Sequence, residues 1–394
     1  MDNNSEHEDD LAADIIGEGT YEAARPLKKA FLPWHRPRKQ YVRERQWIFH
    51  IRRALKEFKK IDDEPLRYLG LPGVDLLDLR YIHERVCEEK KLPLLFLGFN
   101  TCNPHTDAGA ELNISLTEVR ALPQVVKDSD VIGADFRQIG VLTSKAYQYA
   151  KKTGPYDVVN LDLCDCFAAE SPDKLDTTHY DAMKGLITFQ GRRAEPWLLF
   201  LTTRGGSGDV HPGVLSKLAN KYKANLEQCA EFRTASNEHL KIDSIADVDA
   251  ALQAPRGEVD VFLTALCKWL LGEALANMPP TTVQLLGVLE YQVNERAKTP
   301  DLFSIALKFA PGNYVPPDAL GLARPAGKKP TECEHAPALV PGIALRKDVD
   351  ATLSGDPNLH EEMSVGMESL LVQARYDGKA FRAWVAEGCP VHQF

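Results

Sequence analysis

Two carboxylates and two thiols crowd the segment Asn160-Leu161-Asp162-Leu163-Cys164-Asp165-Cys166-Phe167. Acids this close repel unless one keeps a proton or a cation neutralises it, and either condition suits a general base or an orienting acceptor. Asp162 and Asp165 are therefore the candidate catalytic pair. Cys164 and Cys166, one residue apart in an extended segment, point to opposite sides and do not chelate a common ion. Cys333-x-His335 and Cys389-x-x-His392 supply four residues of zinc-binding type, but their spacing is irregular and a long segment intervenes, so no metal is expected.

A second dense segment runs from Phe31 to Gln40 and contains Trp34, His35, Arg36, Arg38 and Lys39. Pro33 and Pro37 hold it extended, so Trp34 and His35 could fold over a ligand while Arg36, Arg38 and Lys39 meet phosphate. This makes the five residues candidates for nucleic-acid binding. The plainer alternative is an arm packed through Trp34, followed by an amphipathic helix whose Val42, Trp47, Ile48, Ile51, Leu55 and Phe58 face the core and whose basic face is solvated. Charge is distributed to match either reading. Residues 1–24 carry eight acids and no Lys or Arg, whereas residues 25–60 carry thirteen Lys and Arg against Glu44 and Glu57, although the 394-residue chain has a net charge of -9. The acidic tail could cover the basic arm or bind another protein.

The elements that must position these residues alternate. Short apolar runs at 66–70, 93–99, 130–134, 156–163 and 196–203 are separated by segments of helical periodicity, which predicts five βα units in a mostly parallel, right-handed, doubly wound sheet. Two later runs, 282–293 and 301–311, are joined by a loop too short for a crossover helix, so they should pair antiparallel. The expected organisation is an acidic tail (1–24), a basic arm and lid helix (25–60), an α/β domain (61–311), a Pro- and Gly-rich linker (312–335) and a small helical appendage (336–394). With 44% hydrophobic and 26% charged residues the chain can bury a full core, which excludes a disordered protein. No apolar run approaches the roughly 20 residues that cross a bilayer, and the acidic N-terminus lacks the basic start of a secretory signal. A cytoplasmic protein is expected, away from membranes, with its eight cysteines reduced.

Five βα units closed by a hairpin resemble the class I S-adenosylmethionine-dependent methyltransferases, over residues 40–311. The resemblance implies a seven-stranded, mostly parallel sheet with a C-terminal antiparallel hairpin and a cofactor crevice beyond the carboxyl ends of the strands. Carried over by position, it assigns cofactor binding to Gly70 and Gly73 after the first strand, to Asn100 after the second in place of the family's ribose-binding acid, and to Asp135 with Phe136 at the third, facing adenine. It puts reaction-centre residues at Asp162 and Asp165, without the tetrapeptide of base-amine methyltransferases. The cofactor implied is S-adenosylmethionine. Two functions follow: a methyltransferase acting on or with nucleic acid, or an inactive methyltransferase-like scaffold that binds nucleic acid or a protein, as in a bacterial antiviral defence system. A dehydrogenase fits less well, because the full G-x-G-x-x-G fingerprint is missing.

Overall fold

Leu66, Tyr68 and Leu69 are buried on opposite sides of their strand, so both faces of the sheet must be covered. The computed structural model describes residues 26–58, 64–171, 178–206, 208–294, 299–312 and 329–390. The acidic tail, most of the linker and His392 lie outside the described residues. The parallel strands are β1 (Leu66–Gly70), β2 (Leu94–Phe99), β3 (Asp130–Ile132), β4 (Val158–Asp162) and β5 (Trp197–Arg204). β6 (Thr281–Tyr291) and β7 (Leu302–Pro311) form the antiparallel hairpin, with β7 inserted between β5 and β6. With the two-residue strand β8 (Lys347–Asp348) at the edge, the order is β3-β2-β1-β4-β5-β7-β6-β8. β1 thus lies between β2 and β4, and the chain reverses its direction of winding there.

This is the expected mostly parallel sheet with a C-terminal antiparallel hairpin, with one correction. An eighth strand, β8 (Lys347–Asp348), pairs parallel with β6. Two residues carry no periodicity of their own; the strand exists because the chain passes along the open edge of β6.

Between the strands run α3 (Leu77–Ile82), α4 (Asp107–Arg120), α5 (Lys145–Thr153), α6 (His179–Gln190), α7 (Pro212–Gln228), α8 (Ala230–Leu240), α9 (Ile245–Ala251) and α10 (Pro255–Leu275). Their starts are written in the sequence: Thr106, Ser144, Thr178 and Ser244 each accept a hydrogen bond from a first-turn amide. One face of the sheet packs Leu69, Leu97, Leu161 and Leu199 against α5 to α8 and α10. Trp197 of β5 stacks on Phe309 of β7 with ring centroids 4.1 Å apart.

The other face is covered by segments from both ends of the chain. The arm forms α1 (Pro37–Val42), a π-helical stretch (Arg43–Ile48) and α2 (Phe49–Ala54). C-terminal helices α13 (Val349–Gly355), α14 (Pro357–Gln373) and α15 (Gly378–Ala386) complete the layer. Val42, Trp47, Ile48, Ile51 and Phe58 share one core with Tyr68, Phe96, Phe200, Met367, Leu371 and Phe381. The short helices α11 (Glu332–His335) and α12 (Leu339–Ala344) lie on the first face. There Cys333 meets Cys229, which corrects the expectation that all cysteines are reduced. Folding brings their Cα atoms to 5.4 Å across a separation of 104 residues, and the two form a disulfide. That bond removes Cys333 from any zinc set, and among the described residues no cluster of three or more metal-binding side chains occurs. No helix among them is long and apolar enough to cross a membrane.

Candidate functional site

The carboxyl ends of β1 and β4 meet at the pair Gly70 and Asn160, the place where an open α/β sheet offers its crevice. What stands there is a buried polar cluster. Lys39, 4% exposed, comes down from α1 and places its Nζ 2.5 Å from Oδ1 of Asp162. The same ammonium lies 4.7 Å from the ring centre of Trp47. Burial alone would make this lysine less basic, but the Asp162 carboxylate, helped by Tyr291 and Asp78, turns the net shift upward and keeps the ammonium charged. Next to it Arg43 holds Asp78 through Nε at 2.7 Å.

Gln46 fixes the arm over the sheet, donating to the Ser304 carbonyl at 2.9 Å and accepting from Ser304 Oγ at 2.7 Å. Around the ion pair three buried polar atoms have no hydrogen-bond partner among the described residues: Asn160 Oδ1, Trp47 Nε1 and Tyr291 Oη. Such atoms call for a water or a ligand.

Of the expected acid pair, the structure brings only Asp162 into this cluster. Asp165 is exposed on the loop beyond β4. Repulsion between the two is relieved by Lys39 on one and solvent on the other. The loop is tied by Arg204, whose Nε donates to the Cys164 carbonyl at 3.1 Å and whose Nη1 meets Asp301 at 2.5 Å.

The residues carried over for the cofactor are spread along the rest of the rim, and all but Gly73 are packed against or bonded to other parts of the protein. A Cβ on Gly70 would come within 2.7 Å of the Tyr68 ring, so the absence of a side chain makes room for Tyr68. Gly73 is open, with nothing within 4 Å of a would-be Cβ. Pro72, one residue earlier, leans on Gly98 so closely that a Cβ there would sit 2.8 Å from the proline ring. Asn100 donates to the Pro72 carbonyl at 2.9 Å and accepts from the Cys102 amide at 2.7 Å, which locks the first two loops together.

Asp135 caps the short helix Phe136–Gly140, accepting from the Arg137 amide at 2.8 Å and from Arg137 Nε at 2.8 Å. Burial opposes its charge, but these Arg137 hydrogen bonds hold the carboxyl below its usual range. Phe136 is 4% exposed and meets Phe99 edge to face, so it is a core residue. At the positions carried over for ribose and adenine, Asn100 and Asp135 each have partners within the protein, and Lys39 stands at the switch point paired with Asp162.

The arm corrects the surface reading given above. His35, Arg36 and Lys39 are 0%, 6% and 4% exposed, and Arg38 pairs with Asp350 at 3.0 Å; only Trp34, at 44%, stands out. The basic residues are consumed by partners from distant parts of the chain, such as the Cys389 carbonyl that accepts from Arg36 at 2.9 Å. Between Trp34 and Lys39 a phosphate backbone would therefore find few free cations, whereas Arg53 and Lys56 further along the arm are exposed.

Sequence reasoning missed Tyr291, Trp47 and Asn160 as members of the rim cluster. Asn160 was open to discovery, because a polar side chain inside the apolar run of β4 has to meet something. Tyr291 carried no such mark.

No curated protein matches the chain. Among solved structures, the plantazolicin methyltransferase BpumL, described in complex with a monoazolic desmethylPZN analog and SAH, is similar at 11% identity and a TM-score of 0.30, covering 70% of this chain and 85% of that one. The family described as PP_RS20740-like matches residues 28–386, so the chain belongs to the PP_RS20740-like family.

Proposed function

We propose that this protein is a methyltransferase-like scaffold that has given up methyl transfer and serves as a binding module. The observation that carries the reading is the Lys39–Asp162 pair at the switch point. With Lys39 paired to it, the Asp162 carboxylate is already engaged within the protein rather than left to orient a methyl acceptor. The commitment of Asn100 and Asp135 to internal partners supports the same conclusion. Calorimetric titration of the full chain with S-adenosylmethionine tests it: no saturable heat is expected, and micromolar binding by the unaltered protein overturns it.

A second reading, an active methyltransferase, is favoured by the orphaned atoms of Asn160, Trp47 and Tyr291 around the same pair. Under it Asp162 accepts the proton of the methyl acceptor, and Asp162→Asn loses turnover while keeping cofactor affinity. For nucleic acid, the burial of the arm leads to weak retention of RNA or DNA at low salt. Strong retention that Arg38→Glu abolishes would restore that partner.

A further inference from the structure

On the face of the sheet turned away from the arm, the Cys229–Cys333 disulfide ties the turn between α7 and α8 to the short helix α11. Its two ends differ in access. Cys229 is 2% exposed within the core, whereas Cys333 is half-buried at the margin of that core. A thiolate opens a disulfide by attacking one sulfur while the other departs. Approach from solvent reaches the Cys333 end, so the departing sulfur is that of Cys229. The other six cysteines are free and give an incoming thiol no bond to exchange with. We propose that this disulfide is a reversible modification site for a small thiol such as glutathione, which attaches at Cys333 and is expelled again by Cys229.

The return step rests on a second set of contacts. Glu332, next to Cys333, pairs with Lys268 Nζ of α10 at 2.7 Å and accepts from Asn225 Nδ2 of α7 at 3.1 Å. Lys268 is 3% exposed and also donates to the Lys221 carbonyl at 3.2 Å. Removing Glu332 from so buried an ammonium is costly, so this pair resists separation. Just beyond Cys333, Ala336 and Leu339 are fully buried in the same core. Helix α11 therefore stays seated when the sulfur–sulfur bond is open, which keeps the two Cα atoms near the 5.4 Å that suits a disulfide. Cys229 then attacks as an intramolecular nucleophile at high effective concentration. The exchange balances: a bond forms between glutathione and Cys333 as the Cys229–Cys333 bond breaks, and the proton of the attacking thiol ends on the Cys229 sulfur. The reverse step re-forms the protein disulfide and releases the thiol, with no net oxidation.

The test exposes the folded full chain to reduced glutathione, quenches with excess maleimide in denaturant, and maps the cysteine peptides by mass spectrometry. Expected are glutathione on Cys333 with maleimide on Cys229, and return of the disulfide when free glutathione is removed before the quench. Glu332→Gln keeps an acceptor for Asn225 but takes the counter-charge from Lys268, and should slow the closing step roughly fivefold or more, so that the mixed disulfide accumulates. The proposal is overturned if glutathione is found on Cys229, if the bond opens only in denaturant, if both cysteines are thiols before glutathione is added, or if Glu332→Gln closes as fast as the parent. Should Glu332→Gln fail to fold, the position of glutathione in the parent decides.

Discussion

The two faces of the sheet are buried equally well by different physics. Around Leu69, Leu97, Leu161 and Leu199 the covering helices are packed with apolar side chains, and stability there comes from surface removed from water. On the opposite face, among Tyr68, Phe96 and Phe200, lie Lys39, Arg43, Asp75 and Arg80, each no more than 5% exposed. Their desolvation is offset only by pairing: Lys39 with Asp162, Arg43 with Asp78, Arg80 with Glu118, and Asp75 with Lys28 and Tyr376. Apolar burial on both faces therefore supplies the stability of the sheet. The charged face sets where the arm and the C-terminal helices sit on it, at little net gain.

This contrast breaks or sharpens under substitution. The largest loss is expected on the apolar face, where Phe262→Ala, at a fully buried position of α10, should cost about 4 kcal/mol in urea unfolding with no neighbouring substitution able to restore it. On the charged face Asp162→Ala leaves a buried ammonium unpaired and should cost about 3 kcal/mol. Here, however, the double variant Lys39→Met with Asp162→Leu should return to within about 1 kcal/mol of the parent. If the double variant is as unstable as the single one, the charged face contributes stability directly and the contrast fails. Smaller than both is the covalent tie on the apolar side: Cys229→Ser should lower stability by about 2 kcal/mol, and a reductant should reproduce that loss in the parent but not in the variant.

The same division decides what could be read from the sequence. β1 falls at Leu66–Gly70, as its apolar run indicates, and the β6–β7 hairpin follows from a loop too short for a helix. Periodicity reports which side chains leave water, so it finds apolar faces. It does not report which cation meets which anion. Lys39 and Asp162 are 123 residues apart, Arg36 and the carbonyl of Cys389 are 353 apart, and nothing in their neighbourhoods marks them as partners. A basic stretch reads as a surface until its acids are located in space. The rim was likewise half legible. Asp162 and Asp135 stand at strand ends as anticipated, but their engagement by Lys39 and Arg137 depends on how the arm and a one-turn helix close over them.

The effect most specific to the charged face concerns His35. Its ring is fully buried among Phe31, Trp34 and Tyr376, and its Nδ1 accepts from the Leu32 amide at 3.2 Å. Burial, then the nearby Arg43 and Lys28 charges, lower its pKa from 6.5 to about 3, so the folded protein keeps the imidazole neutral. The unfolded chain takes up a proton below pH 6.5 that the folded one refuses until about pH 3. Stability from this group is thus complete above the unfolded pKa and declines as pH falls through the interval between the two values, by at most about 1.4 kcal/mol per pH unit. His35→Gln retains an acceptor for Leu32 and removes the titration. Urea unfolding at a series of pH values from 7 to 4 should show the parent losing stability faster than the variant. Parallel pH profiles would mean that the imidazole is protonated inside the fold, and that the charged face tolerates another cation beside Arg43 and Lys28.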